Sequence, residues 1–512
     1  MKKLFTAVMM LVASLSAMAT DYPGTLAVII DGNVADPTAT QITLDKQDDG
    51  KYTLSLKNFI LIQGEDMMPV GNIVLKDVVA AEENGVVTLE TVQDILIEEG
   101  DLAYIPMWLG PLLGPVPVEL KATLNGEILS ADIDIPLVSL GQIIKVVFDS
   151  RTFQLPNSGF EEFHTATATK LLGGTVTSDE PNNWHSFMSC AGSLASMVSG
   201  IPHTFISEDV RPGSTGSKSV LVKSGYAIGT IVANGTLTTG QLNAGDMDAA
   251  SEKNNAFLDF SNSAADANGD PFFTVLNTLP DSISVWVKFQ QGEAVPAHPY
   301  ATMTAVITDG SYYQEPQDKD YSDILVAEAR NSQIESTGEW QKLVVPFSYL
   351  NADKAPKGIL VTFSTNADAG EGTGSDELYI DDVELIYSSY LSSLSVNGKP
   401  LAGFAADKYE YDLGEISVEE AERLSEAVSC TTTGKDAKVF VTVGEDIVSI
   451  LVLSADMLSN RTYTIKFSST TTGIVNVDSA PAAKADGKYL EDDQIVIYRN
   501  GVKYNAAGTV IR

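Results

Sequence analysis

The chain has 512 residues, 44% of them apolar, with 32 Lys+Arg against 68 Asp+Glu and a net charge of −36. That length predicts about three to five domains, and the apolar share fills ordinary cores. A field of that sign repels phosphate backbones, which disfavours nucleic acid and anionic lipid as partners, so none is expected, while it suits neutral ligands and cations.

Residues 1–19, MKKLFTAVMMLVASLSAMA, hold two lysines, an apolar run and the small-residue pattern Ala17-Met18-Ala19. This is the pattern of a secretory signal peptide. It predicts an exported product located in the periplasm, at the outer-membrane surface or outside the cell. No later run reaches the ~18 uninterrupted apolar residues of a membrane span, so no integral span is expected. The only cysteines, Cys190 and Cys430, fall in different predicted domains, so this is no cysteine-stapled scaffold.

Residues 20–150 alternate apolar and polar side chains in TLAVII, KYTLSLKNFI, GNIVLKDV, VPVELKATL, EILSADIDI and QIIKVVF. Such runs, separated by Gly, Asn and Asp, predict about eight antiparallel strands closed into a barrel. The run YIPMWLGPLLGPV, 104–116, reads as a loop folded over one barrel end, or as an exposed apolar patch for a lipid or partner. Residues 151–389 form the largest domain, a β-sandwich whose first strand is placed at LPNSGFEEF, 155–163, and whose last lies in DELYIDDVEL, 376–385. In that last strand strict alternation fails around Asp381 and Asp382. A buried Asp381 there needs a partner, a set of backbone donors or a metal. Residues 390–470 predict a small immunoglobulin-like sandwich, with SVEEAERLSEAV, 417–428, as a helical turn or two. Residues 471–512 read as a linker followed by a hairpin-like tail turned at Asn500-Gly501.

The residues admit three kinds of chemistry. Glu161 and Glu162, with Asp381 or Asp382, are positioned to hold a structural Ca²⁺ if the two ends of the sandwich pair. The competing reading is carboxylates satisfied by backbone amides or solvent. DANGDP, 266–271, and NADAGEGTGSDE, 366–377, are weaker calcium candidates. The four histidines, His164, His185, His203 and His298, show no close spacing, which argues against zinc. Sugar binding asks for an aromatic face beside amides. PNNWHSF offers Trp184 with Asn182, Asn183 and His185 in a stretch without alternation, and Tyr312 and Tyr313 follow a second turn. Trp286 and Trp340 lie in alternating strands and read as core. No nucleophile elbow or Ser-His-Asp arrangement is legible. A glycoside hydrolase would need paired carboxylates, for which Glu315 and Glu328 are candidates.

Residues 151–389 resemble the putative carbohydrate metabolism domain family of exported Bacteroidetes proteins. The matching pieces are NSGFEEF, PNNWHSF, VANGTLTTGQL, NGDPFFTVLNTLPDSISVWVKF, DILVAEAR, TGEWQKLVVPF and GTGSDELYIDDVELIY. The resemblance implies a jelly roll similar to carbohydrate-binding modules, with Glu161 and Asp381 as the counterparts of residues that help to hold calcium in such modules. Residues 20–150 resemble the calycin-like family through YPGTLAV, KYTLSLKNF, MPVGNIVLKDV and the W-x-G-P-L-L-G-x-V-P-V run, although Tyr22-Pro23-Gly24 stands where lipocalins show Gly-x-Trp. The tail is similar to a type IX secretion signal in outline only. The whole chain is thus expected to be all-β: a calycin-like antiparallel barrel, a jelly-roll sandwich and an Ig-like sandwich. The expected function is non-catalytic binding of a neutral oligo- or polysaccharide at a cell surface. The alternatives are a structural or adhesive surface protein with a protein partner, and a polysaccharide-processing enzyme. No organic cofactor is expected.

Overall fold

The computed structural model describes residues 19–64, 66–137, 142–170, 173–227, 229–470, 475–476, 487–491, 494–499, 502–505 and 510–511. Residues 1–18 of the expected signal peptide and the Asn500-Gly501 turn lie outside the described residues. The chain packs as two bodies: one holds the barrel and the large sandwich, and the other holds most of the chain from Ser389 onward.

The barrel strands are β1 (Thr20–Ile30), β2 (Thr38–Lys46), β3 (Tyr52–Gln63), β4 (Asp66–Glu83), β5 (Val86–Leu96), β6 (Pro115–Asn125), β7 (Ile128–Leu137) and β8 (Gln142–Asp149). Each pairs antiparallel with the next, and β1 closes on β8 from Thr25↔Asp149 to Ile30↔Ile144. Closure leaves no open sheet edge, as the alternating sequence predicted. The inward positions Leu26, Ile42, Leu54, Leu75, Leu89, Leu120, Leu129 and Phe148 are buried in one cluster. The interior is therefore a packed core, each such side chain contributing about 1.5–3 kcal/mol. The 104–116 run is partly buried and partly exposed. Trp108 is buried against Gly100, where any Cβ would collide with the indole, while Tyr104, Met107, Leu112 and Leu113 remain exposed.

The sandwich opens with a separate hairpin, β9 (Phe163–Thr169) and β10 (Thr175–Pro181). Its main strands are β11 (Thr204–Ser207), β12 (Ser219–Lys223), β13 (Thr236–Thr238), β14 (Ser282–Gln290), β15 (Tyr300–Thr308), β16 (Leu325–Glu335), β17 (Gln341–Pro346), β18 (Ser348–Tyr349), β19 (Gly358–Ser364) and β20 (Glu377–Ile386). One sheet runs β11-β12-β20-β14-β17, and the other runs β13-β19-β15-β16-β18 with a short strand, Thr274–Val275, added to β19. Their inner faces form one core that includes both Phe160 and Ile380. The two acidic stretches do meet, but 155–160 is not a strand. With Asn157 and Phe160 at positive φ, the segment runs beside β20 through Val383 N–H to Ser158 O (2.9 Å) and a reciprocal bond between the Gln154 amide and Leu385.

The failed alternation in β20 has a definite cause. Ser284 pairs with Glu384 but Trp286 pairs with Asp381, so Asp382 and Val383 stand opposite the single residue Val285. This β-bulge, with Asp382 at φ 44, reverses the phase of the strand. Leu378 and Ile380 point inward before it, Val383 and Leu385 after it.

In the second body β21 (Leu391–Val396), β22 (Lys399–Pro400), β23 (Glu410–Ser417), β24 (Val428–Thr432), β25 (Lys438–Val443), β26 (Ile447–Leu453) and β27 (Asn460–Thr470) form sheets ordered β22-β21-β24 and β23-β27-β26-β25 around their own core. The pair β23–β27 is parallel. The expected helical turns are Val418–Glu422 and Leu424–Ala427, the first started by a capping box between Ser417 and Glu420. In the tail, Gln494–Arg499 pairs with Gly487–Glu491 and with Val502–Asn505. Both cysteines are free thiols.

Candidate functional site

Of the residues expected to stack or hold a sugar, Trp184, His185 and Tyr313 are buried. Trp184 is 0% exposed: its indole N–H donates to Pro156 O (3.1 Å) and its ring packs against Phe160 and Phe363. It is a core anchor, because the 182–186 loop turns inward over the sandwich. Asn182 offers its side-chain oxygen to His164 Nδ1 (3.2 Å), Asn183 donates its backbone N–H to Asp270, and His185 is buried. Tyr313 is buried beside Tyr321 and bonds Glu315, while Tyr312 is part-exposed but stacks on Phe257. None of these forms an open platform.

Trp286 and Trp340 also depart from expectation. Both are half-buried on the outer face of the five-stranded sheet rather than in the core. Arg211 lies over Trp286, and Lys288 lies over Trp340 and Tyr379. Asp209 ties the group together through Lys288 and the Trp340 N–H. The ring faces are thus already capped by cations.

Glu161 and Asp381 each meet the 208–218 loop. Glu161 accepts from the backbone N–H groups of Ser217 (2.8 Å) and Lys218 (3.0 Å) and from the Ser217 hydroxyl. Burial would raise its pKa, but these donors and the Lys218 charge hold it below the usual carboxylate value. Asp381 Oδ2 accepts from Arg211 N–H (2.9 Å), and its Oδ1 has no hydrogen-bond partner. Burial, opposed by the Arg211 amide and reinforced by the Asp382 charge, lifts the Asp381 carboxyl to about 6. Only Asp381 Oδ1 stays unengaged between them, whereas calcium takes about six to eight oxygens.

The concave feature lies on the outer face of the other sheet. A cleft of about 810 Å³ has as its floor two cross-strand rows, Thr236–Ser364–Thr302 and Thr362–Thr304–Arg330. These polar positions alternate with the inward core residues Leu237, Phe363, Met303 and Ala305, the ordinary consequence of strand geometry. Arg330 is fixed by Glu315 and Glu328, both at 2.9 Å. The two nominated carboxylates therefore share one guanidinium instead of flanking a cleavable bond. His298 Nδ1 meets Asp368 at 2.7 Å at the rim. Leu194, Met197, Ile231 and Met247 supply an apolar wall. Sequence reading missed this site, although the alternating threonines of ATMTAVIT, 301–308, and Arg330 at the end of DILVAEAR were its signals.

A second group is buried nearby in sequence. His164 Nε2, Glu180 Oε2 and Asp266 Oδ2 lie within 4.8 Å of one another, and His185 Nδ1 is 3.5 Å from the same Asp266 oxygen. None of the four atoms has a hydrogen-bond partner. His164 and Glu180 are direct cross-strand partners in the β9–β10 hairpin, so the wide spacing of the histidines in sequence concealed their approach.

No curated protein matches the chain. Among solved structures, a "putative glycoside hydrolase" from Bacteroides thetaiotaomicron is similar at 16% identity and a TM-score of 0.32, covering 54% of this chain and 87% of that one. A fructofuranosidase from Schwanniomyces occidentalis scores 0.11 at 7% identity over 67% and 68%, and PNGF-II scores 0.13 at 11% over 73% and 70%. Scores so low carry neither fold nor chemistry across. No helix among the described residues is long and apolar enough to cross a membrane. Residues 18–150 match the model of the calycin-like beta-barrel domain family, and the first domain is a calycin-like β-barrel.

Proposed function

We propose that the protein is an exported, non-catalytic glycan-binding protein whose neutral saccharide lies in the cleft over the six-stranded face. The observation that supports this is the pair of hydroxyl rows on the cleft floor. Four threonines and a serine line it at fixed spacing; the hydroxyls of Thr236, Thr302 and Ser364 donate to backbone carbonyls and turn acceptor oxygens to the cleft, the pinned guanidinium adds donors, and the apolar wall receives the C–H faces of a sugar ring. Negative surplus charge elsewhere does not penalise a neutral ligand. With Trp184 removed from the site, binding rests on hydrogen bonds and shallow apolar contact, so modest affinity strengthened by repeated display is expected.

Glycan-array screening of the full chain, followed by affinity electrophoresis, tests the reading. Arg330→Ala and the pair Thr302→Val/Thr362→Val should each weaken retention at least about tenfold, the scale of one or two lost charged or multiple hydrogen bonds. Retention unchanged by both, or no neutral glycan retained at all, contradicts it. The second result favours an adhesive surface protein, for which the exposed Tyr104, Met107, Leu112 and Leu113 of the barrel are the supporting feature.

A further inference from the structure

We propose that His164, Glu180 and Asp266 form a binding site for a divalent first-row transition cation of the zinc type. His164 Nε2 is 3.4 Å from Asp266 Oδ2 and 3.7 Å from Glu180 Oε2. Donors at about 2.0–2.2 Å from a tetrahedral ion stand about 3.3–3.6 Å apart; both histidine–carboxylate separations are near that range, and the two carboxylate oxygens lie within 4.8 Å of each other. The Glu180 and Asp266 side chains are fully buried and that of His164 nearly so.

The proton arrangement makes the group costly without a cation. His164 Nδ1 faces the Asn182 side-chain oxygen, and His185 Nε2 faces Pro271 O at 3.2 Å. Both partners accept, so the ring protons sit on those nitrogens, with the Asn182 amide oriented as its contacts require. With both rings neutral, the opposite nitrogens, His164 Nε2 and His185 Nδ1, turn lone pairs toward two carboxylate oxygens, and in the absence of a cation only a second proton on each ring relieves that contact. Facing lone pairs in a buried site repel, and buried polar atoms without partners are uncommon. A dication converts that repulsion into attraction and offsets the two carboxylate charges.

The surroundings resemble the supporting layer that metal ligands need. Glu180 Oε1 accepts from Ser186 N–H (2.6 Å), the Ser186 hydroxyl (2.5 Å) and the Ser189 hydroxyl (3.1 Å). Asp266 Oδ1 accepts from the N–H groups of Asn268 and Asp270, both at 2.9 Å. Each carboxylate therefore keeps one oxygen fixed by donors and aims the other at the centre. Imidazole ligation suits zinc, copper, nickel or iron better than calcium. Glu180 and Asp266 also line a cavity of about 500 Å³ with Thr167, Ser189 and Gln241, which gives water a route to a fourth position. The DANGDP loop, read from sequence as a calcium candidate, contributes here as the source of Asp266.

Bound metal would join the β9–β10 hairpin, the 182–190 segment and the 266–271 loop. The proposal does not depend on the glycan reading, and its test does not use a sugar. The full chain would be stripped with chelator, reconstituted with Zn²⁺ and gel-filtered, and its metal content measured; Co²⁺ absorption would report the coordination. One equivalent of zinc, a raised melting temperature and intense low-symmetry Co²⁺ bands are expected, with metal content falling at least tenfold in His164→Gln and Asp266→Asn. If a variant fails to fold, the wild-type titration still decides. Less than about a tenth of an equivalent bound by the wild type, or full zinc retained by folded variants, overturns the site.

Discussion

At the scale of single residues, Asp381 and His203 report most on buried charge. Asp381 ionises with one oxygen unpaired, and its carboxyl is raised to about 6 in the fold. The folded state therefore holds its proton more tightly than the unfolded chain, so this contribution is full below the ordinary carboxylate pKa and is lost as pH rises through about 6. At pH 7, Asp381→Asn should stabilise the protein by roughly 1–3 kcal/mol in urea unfolding. Destabilisation together with release of bound calcium would instead place a cation on the Glu161–Asp381 pair. His203 behaves oppositely. Burial, only partly countered by its bond to Lys223 O, lowers it to about 4. Its contribution is full above the unfolded value near 6.5 and is lost as pH falls through about 4, about 3 kcal/mol in all. His203→Gln should flatten the acid limb of a urea-midpoint against pH curve; an unchanged slope would show that His203 is not the group titrating. Trp184→Ala should cost about 3–5 kcal/mol and leave glycan retention at saturating folded protein unaltered.

At the scale of elements, the bulge in β20 determines what alternation can and cannot reveal. The runs of the barrel were legible because every strand has one wet and one dry face, so period two maps directly onto burial. In β20 the inserted residue shifts the phase midway, and no composition signal marks it beyond the adjacent aspartates. Asp382 occupies a left-handed conformation and pairs with Arg211 at 2.5 Å. Asp382→Gly should therefore cost no more than about 1 kcal/mol, the scale of an exposed ion pair. Asp382→Val should cost more, about 1–3 kcal/mol of added backbone strain. Equal melting temperatures for the two variants would argue against the bulge. The tryptophans show the same lesson from the other side. Trp286 stands between Val285 and Val287 because the inner face supplies them, yet its own side chain faces outward, and Trp340 immediately precedes β17 between Glu339 and Gln341. Trp184 lies in a stretch without alternation and is nevertheless core. His164 and Glu180 met across a hairpin, a pairing that spacing along one strand cannot disclose.

At the scale of the whole molecule, the chain is a filled calycin-like barrel and a two-sheet sandwich in one body, and a smaller sandwich in the other. The strand-rich class, the barrel and the meeting of the two acidic stretches were legible, since they follow from alternation, turn residues and chain length. The cleft was not, because its floor gathers side chains from strands separated by up to about 130 positions, from Thr236 to Ser364. Net charge of −36 repels a phosphate backbone and does not penalise a neutral ligand or a cation. The most direct measurement is hydrogen exchange on the full chain with and without a retained glycan. Protection concentrated in 231–250, 300–308 and 358–371 is the expected result; protection confined to the Trp340–Tyr379 face, or to the barrel, would contradict the assignment of the cleft.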